Sequence, residues 1–169
     1  MPNKKYSLGI DIGGTNTVFG LVDKEGKVIK KESILTMPKN HPKLLLESIF
    51  NIISFWEKEL KIQKIIKHIG VGVPNGNYFT GMVSKPPNLG KDWDELNLCE
   101  LIKSYLDVPV AITNDANAAA LGEKRYGVAK EMNNAVLITL GTGLGSGIIV
   151  NGNILYGHDG FAGELGHLI

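Results

Sequence analysis

The chain opens with two short apolar segments on either side of a glycine turn, in the stretch "LGIDIGGTNTVFGLV" at residues 8–22. β-forming residues dominate residues 6–12 and 16–22, and the polar residues 23–26 lead into a third β-rich segment at 27–34. Runs bounded by turn residues in this way predict a three-stranded meander. A carboxylate and glycines weaken a buried strand, so Asp11 and the pair Gly13-Gly14 indicate that the turn does more than reverse the chain.

The middle of the chain alternates between helical and strand patterns. Residues spaced three and four apart predict a long helix that begins near Asn40 and Pro42, with an apolar stripe of Leu45, Ile49, Ile52, Ile53, Trp56 and Leu60. We predict strands at 68–74, 108–114, 135–141, 145–150 and 153–156, a loop at 75–92, and helices at 94–106 and 115–126, the second ending at Gly127.

Two segments of the chain share one pattern of strand, glycine turn, strand and polar turn. An offset of 128 residues brings Gly141 onto Gly13 and Val150 onto Val22. The identity between the two segments is weak, and glycine-rich hairpins also resemble one another by chance. The pattern nevertheless predicts two related lobes that each present one glycine turn.

Composition limits the possible class of protein. With 43% hydrophobic and 21% charged residues the chain is globular, and a formal net charge of +1 gives no reason to expect nucleic acid or an acidic membrane as a partner. Cys99 is the single cysteine, which excludes an intrachain disulfide. No apolar stretch approaches the roughly 20 residues of a membrane span, so we expect a cytoplasmic protein without a membrane partner.

The two glycine turns are candidate phosphate sites. Successive backbone N–H groups in such turns form concave anion sites, and the adjacent Asp11 is a candidate ligand for the Mg²⁺ that accompanies a polyphosphate. The P-loop motif is absent, and "LGTGLGSG" departs from the spacing of the dinucleotide fingerprint. The alternative interpretation is that both turns are ordinary tight hairpins.

Two further segments contain polar residues that are suited to binding or catalysis. In "TNDANAAALGE", Asp115 stands where a strand meets a helix, as the helix N-cap, as an exposed general base or as both, with Asn114 beside it to bind a hydroxylated ligand. In "GFAGELGH", Glu164 and His167 suit adjacent sugar hydroxyls. Taken alone, the second pair is more typical of a surface loop with a solvated Glu and a half-buried His.

In combination, "DIGGTN", "NDANAAALGE", "LGTGLGSGI" and "GFAGELGH" resemble the ROK family of sugar kinases and repressors over essentially the whole chain, most closely its glucokinase-like members. The resemblance implies an α/β protein of the actin-like, ribonuclease-H-like ATPase fold, with a mixed sheet and flanking helices. It also implies an N-terminal lobe at residues 1–114 and the beginning of a second lobe at 115–169. Family members are nearly twice as long, so we expect this chain to be the first half of such a protein.

The resemblance also implies the roles of particular residues. ATP phosphates would be bound by Asp11, Gly13, Gly14 and Thr15 in the first turn, with Mg²⁺ on Asp11, and by Thr142 and Gly143 in the second turn. Asp115 would take the proton from a sugar hydroxyl, and the sugar would be held by Asn88, Asn114, Asp115, Glu164 and His167. In zinc-containing members the position of His167 is also a metal ligand, completed by cysteines downstream. Asn16 departs from the family, which usually has lysine or a similar residue after "GGT".

These observations predict ATP-dependent phosphorylation of a hexose, most simply glucose to glucose 6-phosphate. Fructose, allose, N-acetylmannosamine and N-acetylglucosamine remain alternative substrates. A sugar-responsive repressor would need a DNA-binding segment ahead of the first strand, and a short sugar-binding protein without turnover is a third possibility. We expect the 169 residues alone to be inactive, because the second lobe would be incomplete, and the apolar surface thereby exposed favours association, for example as a homodimer.

Overall fold

A computed structural model describes residues 5–61, 64–141 and 143–167. The strands are β1 (Tyr6–Ile12), β2 (Asn16–Val22), β3 (Val28–Leu35), β4 (Ile66–Gly72), β5 (Met82–Val83), β6 (Leu96–Asn97), β7 (Val110–Thr113), β8 (Ala135–Leu140), β9 (Leu144–Val150) and β10 (Asn153–Ile154). The α-helices are α1 (Pro42–Leu60), α2 (Leu98–Lys103) and α3 (Asp115–Tyr126), and Lys91–Trp93 and Leu165–His167 form short 3-10 turns.

The main sheet has five strands in the order β3-β2-β1-β4-β7. The predicted meander is confirmed: β1, β2 and β3 pair in antiparallel fashion, whereas β4 and β7 add in parallel to the other side of β1. The register places Asp11 opposite Val18 on β2 and Gly72 on β4. The carboxylate at the end of β1 therefore lies in the middle of the sheet, beside a strand position that has no side chain.

One face of this sheet carries the hydrophobic core. Residues alternate along β1, so that Leu8, Ile10 and Ile12 are buried while Gly9 and Asp11 lie on the opposite, open face. The predicted stripe of α1 covers the buried face, with Trp56 4% exposed and its ring centroid 5.5 Å from that of Phe19. A strand with a core on only one side explains how Asp11 is tolerated in an apolar run.

An N-cap residue and a proline define where α1 begins. Its N-cap is His41, whose Nδ1 accepts a hydrogen bond from the Lys43 backbone N–H at 3.2 Å. Pro42 occupies the first helical position, where its missing N–H leaves no additional group unsatisfied. The predicted start of this helix is confirmed.

A second meander of three strands, in the order β10-β9-β8, follows α3. The offset seen in the sequence is reproduced, because β1 and β8 end at Ile12 and Leu140 and β2 and β9 end at Val22 and Val150. α3 packs closely on β9, since a Cβ added at Gly147 would lie 2.5 Å from Cβ of Ala120. Gly147 is therefore needed for this close approach of helix and strand.

Three predicted elements differ from the structure. The helix expected at 94–106 is shorter, because Lys91–Trp93 forms a 3-10 turn and β6 pairs with β5 before α2 begins. The predicted loop at 75–92 accordingly contains a strand, β5. The strand expected at 153–156 ends at Ile154. Gly127 caps α3 as predicted, in an extended conformation. Within the described ranges, no helix combines the length and apolar character that crossing a membrane requires.

Candidate active site

A cleft of about 1220 Å³ lies on the open face of the main sheet, between that sheet and the second meander. Its floor includes Gly9 on β1 and Gly70 on β4, which are paired in the sheet. A Cβ added at either glycine would meet no atom within 4 Å, so the volume of the cleft directly above these two positions is empty. Most of the described residues that the sequence singles out line this cleft: Asp11, Gly13, Gly14, Asn88, Asn114, Asp115, Gly143 and Glu164.

Asp11 projects from β1 into the cleft near Asp115 at the start of α3. Gly72 lies between them, since a Cβ added there would be 3.7 Å from Oδ1 of Asp11 and 3.5 Å from Cα of Asp115. Partial shielding from water by the cleft walls raises the pKa of Asp11, and the negative charge of Asp115 raises it further. A divalent cation held by Asp11 would relieve this repulsion, so the Asp11 carboxylate fits the predicted Mg²⁺ site.

The first glycine turn is held from behind by a threonine pair that the sequence did not indicate. Thr36 Oγ1 donates to the Gly13 carbonyl at 2.7 Å, and the Thr36 N–H donates to the Thr15 carbonyl at 2.9 Å. Because the Thr36 hydroxyl proton is used in this way, the hydroxyl of buried Thr17 is the donor in their 2.9 Å contact. Thr15 itself is exposed beside the cleft.

We expect Thr36→Val to lower the free energy of unfolding by about 1–3 kcal/mol, because it leaves the Thr17 hydroxyl and the Gly13 carbonyl without their partner. Urea denaturation measures the change. Thr36→Ser is the matched control, since it retains the hydroxyl while removing the methyl group. Equal stability of the Val and Ser variants would contradict a role for the hydroxyl.

Asn88 packs directly against the first turn. A Cβ added at Gly14 would lie 2.7 Å from Cβ of Asn88, so this turn accepts only glycine while the loop keeps its position. Asn88 itself has a positive φ of 65°, a conformation that asparagine tolerates better than most residues. The structure thus brings one predicted sugar-binding residue into contact with a predicted phosphate-binding turn.

The start of α3 differs from one interpretation of the sequence. The N-cap is Asn114 instead of Asp115: Asn114 Oδ1 accepts from the Ala116 N–H at 2.8 Å, and Asp115 is the first helical residue. Asp115 Oδ1 also accepts from Ala116 N–H at 2.8 Å. The two side chains share this N–H, which Asn114 alone can satisfy, and the exposed Asp115 carboxylate also lines the cleft.

Asn114 also joins the two predicted sugar-binding segments. Its Nδ2 donates to Oε1 of Glu164 at 2.9 Å, across 50 residues of sequence. Both residues line the cleft beside Asp115. A carboxylate, an amide and a second carboxylate on one wall provide the acceptors and donors that a polyhydroxylated ligand requires.

The second glycine turn lines the same cleft, and there the Gly141 N–H donates to the Gly143 carbonyl at 3.0 Å. Thr142 and the side chain of His167 fall outside the described part of the chain, so their predicted contacts stay predictions, as does zinc binding. Among the described side chains, no group of three or more His, Cys, Asp and Glu residues is placed to hold a metal ion.

An aromatic group at the rim of the cleft was missed by the sequence analysis. The rings of Tyr78 and Tyr156 are parallel with centroids 4.3 Å apart, and Phe79 meets the ring of Tyr156 edge-on at 5.8 Å. Tyr78 and Tyr156 line the cleft. Their separation in sequence hides the contact, and the only local signal is two adjacent aromatic residues in a loop otherwise rich in Gly, Pro and Asn.

Comparison with known proteins identifies the relatives of this chain. A sequence profile described as the ROK family matches residues 7–169. The glucokinase of Streptomyces coelicolor is 35% identical over 163 residues, which cover 96% of this chain and 49% of that protein. The xylose repressor of Bacillus spizizenii is 33% identical over an alignment of 172 residues, gaps included, and the alignment covers 98% of this chain and 43% of that protein.

A solved structure extends the likeness to three dimensions. A ROK family glucokinase from Streptomyces griseus, in complex with glucose and AMPPNP, matches with a TM-score of 0.82 at 32% identity, over 96% of this chain and 50% of that chain. The predicted actin-like fold, with its mixed sheet and flanking helices, is thereby confirmed. The chain spans about half the length of the curated relatives it matches.

Proposed function

Because this chain belongs to the ROK family, we propose that it supplies about the first half of an ATP-dependent hexose kinase. The observation that carries the proposal is the position of Asp115, at the N-terminus of α3 and in the same cleft as Asp11 and the Asn114–Glu164 pair. A carboxylate beside hydroxyl-binding groups on one side and a phosphate-binding turn on the other suits phosphoryl transfer to a sugar.

In the proposed reaction, the hydroxyl oxygen of the sugar attacks the γ-phosphorus of ATP, the bond to ADP breaks, and Asp115 accepts the hydroxyl proton. Asn114, Glu164, His167 and Asn88 hold the sugar hydroxyls, and fix the attacking oxygen near Asp115. The glycine turns bind the phosphates, at Gly13, Gly14 and Thr15 in the first turn and at Thr142 and Gly143 in the second. The Gly13 N–H already donates to the Asn16 carbonyl at 3.0 Å, so Gly14 and Thr15 supply the N–H groups of the first turn. Asp11 would hold Mg²⁺, which when bound supplies positive charge against the transferring phosphoryl group.

We also propose that residues 1–114 form one lobe and 115–169 the beginning of a second. Each part contains an antiparallel meander with a glycine turn between its first two strands. The two turns face one cleft. Closure of such lobes around a bound sugar would exclude water from the transferred phosphoryl group.

Glucose is the proposed substrate, on the likeness to glucokinases at 35% identity. A second candidate function is sugar binding without turnover, which the likeness to a xylose repressor favours. The two functions differ in a simple observable, because only the kinase releases ADP when sugar and ATP are both present.

The test begins with the reading frame beyond the codon for Ile169. The complete protein is then assayed for ADP release with ATP, Mg²⁺ and a panel of glucose, fructose, allose, N-acetylmannosamine, N-acetylglucosamine and xylose. We expect glucose to give the highest kcat/KM and the 169 residues alone to give no turnover. Sugar binding without ADP release from the complete protein would contradict the kinase and support the second candidate.

A further inference from the structure

Two loops from distant parts of the sequence meet at the rim of the cleft. One is the 75–81 loop after β4, and the other is the 155–163 loop between β10 and Glu164. They are joined by a group that we call the loop latch: Asn77 and Tyr78 from the first loop, and Tyr156 and Asp159 from the second. Its contacts are the Asn77 Nδ2 hydrogen bond to the Asp159 carbonyl at 2.7 Å and the stacked rings of Tyr78 and Tyr156.

Asn77 is the centre of this latch. Its side chain uses both of its polar atoms, because Oδ1 accepts from the N–H groups of Phe79 and Thr80 at 2.9 and 3.2 Å while Nδ2 reaches the other loop. The residue is 8% exposed. Gly160 allows this burial, since a Cβ added there would lie 2.7 Å from Asn77 Nδ2.

The second loop leads directly to Glu164, and it is fixed at its base as well as at its tip. The Ala162 N–H donates to the Tyr156 carbonyl at 3.0 Å, which closes the loop. Ser146 Oγ on β9 donates to the Gly163 carbonyl immediately before Glu164. The latch holds the tip at Asp159, and the orientation of the chain entering Glu164 therefore depends on both anchors.

We propose that Asn77 is a positioning residue of the sugar site, acting through the 155–163 loop on Glu164 and thereby on the Asn114–Glu164 pair. This inference rests on the proposed function of that pair. Asn77 is absent from the described residues that line the cleft, so it acts without touching the ligand. The contacts that form the latch join the two loops and involve no residue of the described part of either glycine turn. We therefore expect its loss to weaken sugar binding while leaving ATP binding unchanged.

The test uses two substitutions in the complete protein. Asn77→Ala removes all contacts of the side chain. Asn77→Asp retains an oxygen that accepts from Phe79 and Thr80 but replaces the donor to Asp159 with an acceptor, so it breaks the cross-loop bond alone. We expect both to raise the Kd for glucose about three- to tenfold, with the KM for ATP within about twofold of wild type.

Glucose binding is measured by calorimetry without ATP, so that the result does not depend on turnover. Thr80→Ala is the matched control, because the exposed Thr80 hydroxyl accepts from the Met82 N–H at the start of β5, at 3.2 Å, and is not part of the latch. An Asn77→Asp variant with wild-type affinity for glucose would overturn the latch, even if Asn77→Ala were impaired or failed to fold. Failure of the wild-type protein to bind any hexose in the panel would overturn the proposed function and the latch together.

Discussion

Asp115→Asn is expected to lower kcat by about 10²–10⁴-fold, because the variant cannot accept the proton of the attacking hydroxyl. Hexose affinity should change by less than about threefold, since asparagine retains a hydrogen-bonding side chain of the same size. The helix should remain intact because Asn114 supplies the N-cap. Steady-state kinetics of the complete protein give kcat, and calorimetry without ATP gives the affinity for the sugar.

The matched control for this substitution is Asp107→Asn, an equivalent change at an exposed position before β7. It should leave kcat at the wild-type value. Near-wild-type turnover of Asp115→Asn would remove Asp115 from the role of general base. A loss of hexose affinity with kcat unchanged would instead assign it to ground-state binding of the sugar.

Glu164→Ala is expected to raise the KM for the hexose by about 10- to 100-fold, with a smaller effect on kcat. Hydrogen bonds to a charged group contribute about 1.5–3 kcal/mol, and the variant loses those to the sugar together with the contact from Asn114 at 2.9 Å. Glu164→Gln should give an intermediate KM, because its amide oxygen can still accept from Asn114. The KM for ATP should be unchanged in both.

Glu131→Ala is the control for Glu164, because that exposed glutamate lies in the turn between α3 and β8. An unchanged hexose KM in Glu164→Ala would contradict a sugar-binding role. A rise in the KM for ATP with an unchanged hexose KM would move Glu164 to the phosphate side of the cleft. Comparison of the two KM values therefore assigns the residue to one substrate or the other.

Local patterns predicted the parts of the fold that local interactions determine. The ends of β1 and β2 coincide with the predicted ones at Ile12 and Val22, because a glycine turn and a polar turn bound them. The helix predicted at 94–106 is longer than the observed α2, because the pairing of Met82 with Asn97 competes with helix formation at its start. Such a pairing joins residues that no local window contains.

The candidate site likewise contains some residues that the sequence alone could indicate and others that it could not. Asp11, Asp115 and the glycine turns could be singled out because each is unusual for its element. Thr36, Asn77 and Tyr156 could not, since threonine, asparagine and tyrosine are ordinary in a strand end or a loop and acquire significance only through partners far along the chain. The identity of the N-cap also escaped prediction, because Asn114 and Asp115 are both good caps and adjacent.

The two glycines in the floor of the cleft have an evolutionary consequence. Gly9 and Gly70 contribute only backbone there, so the side chains that distinguish one ligand from another come mainly from the loops and the helix start around the cleft, among them Asn88, Asp115 and Glu164. Loops tolerate substitution better than the strands beneath them, whose opposite face carries the core. Selection can therefore change the side chains around the cleft of this domain without first repairing its stability, which agrees with the similarity of this chain to both a glucokinase and a xylose repressor.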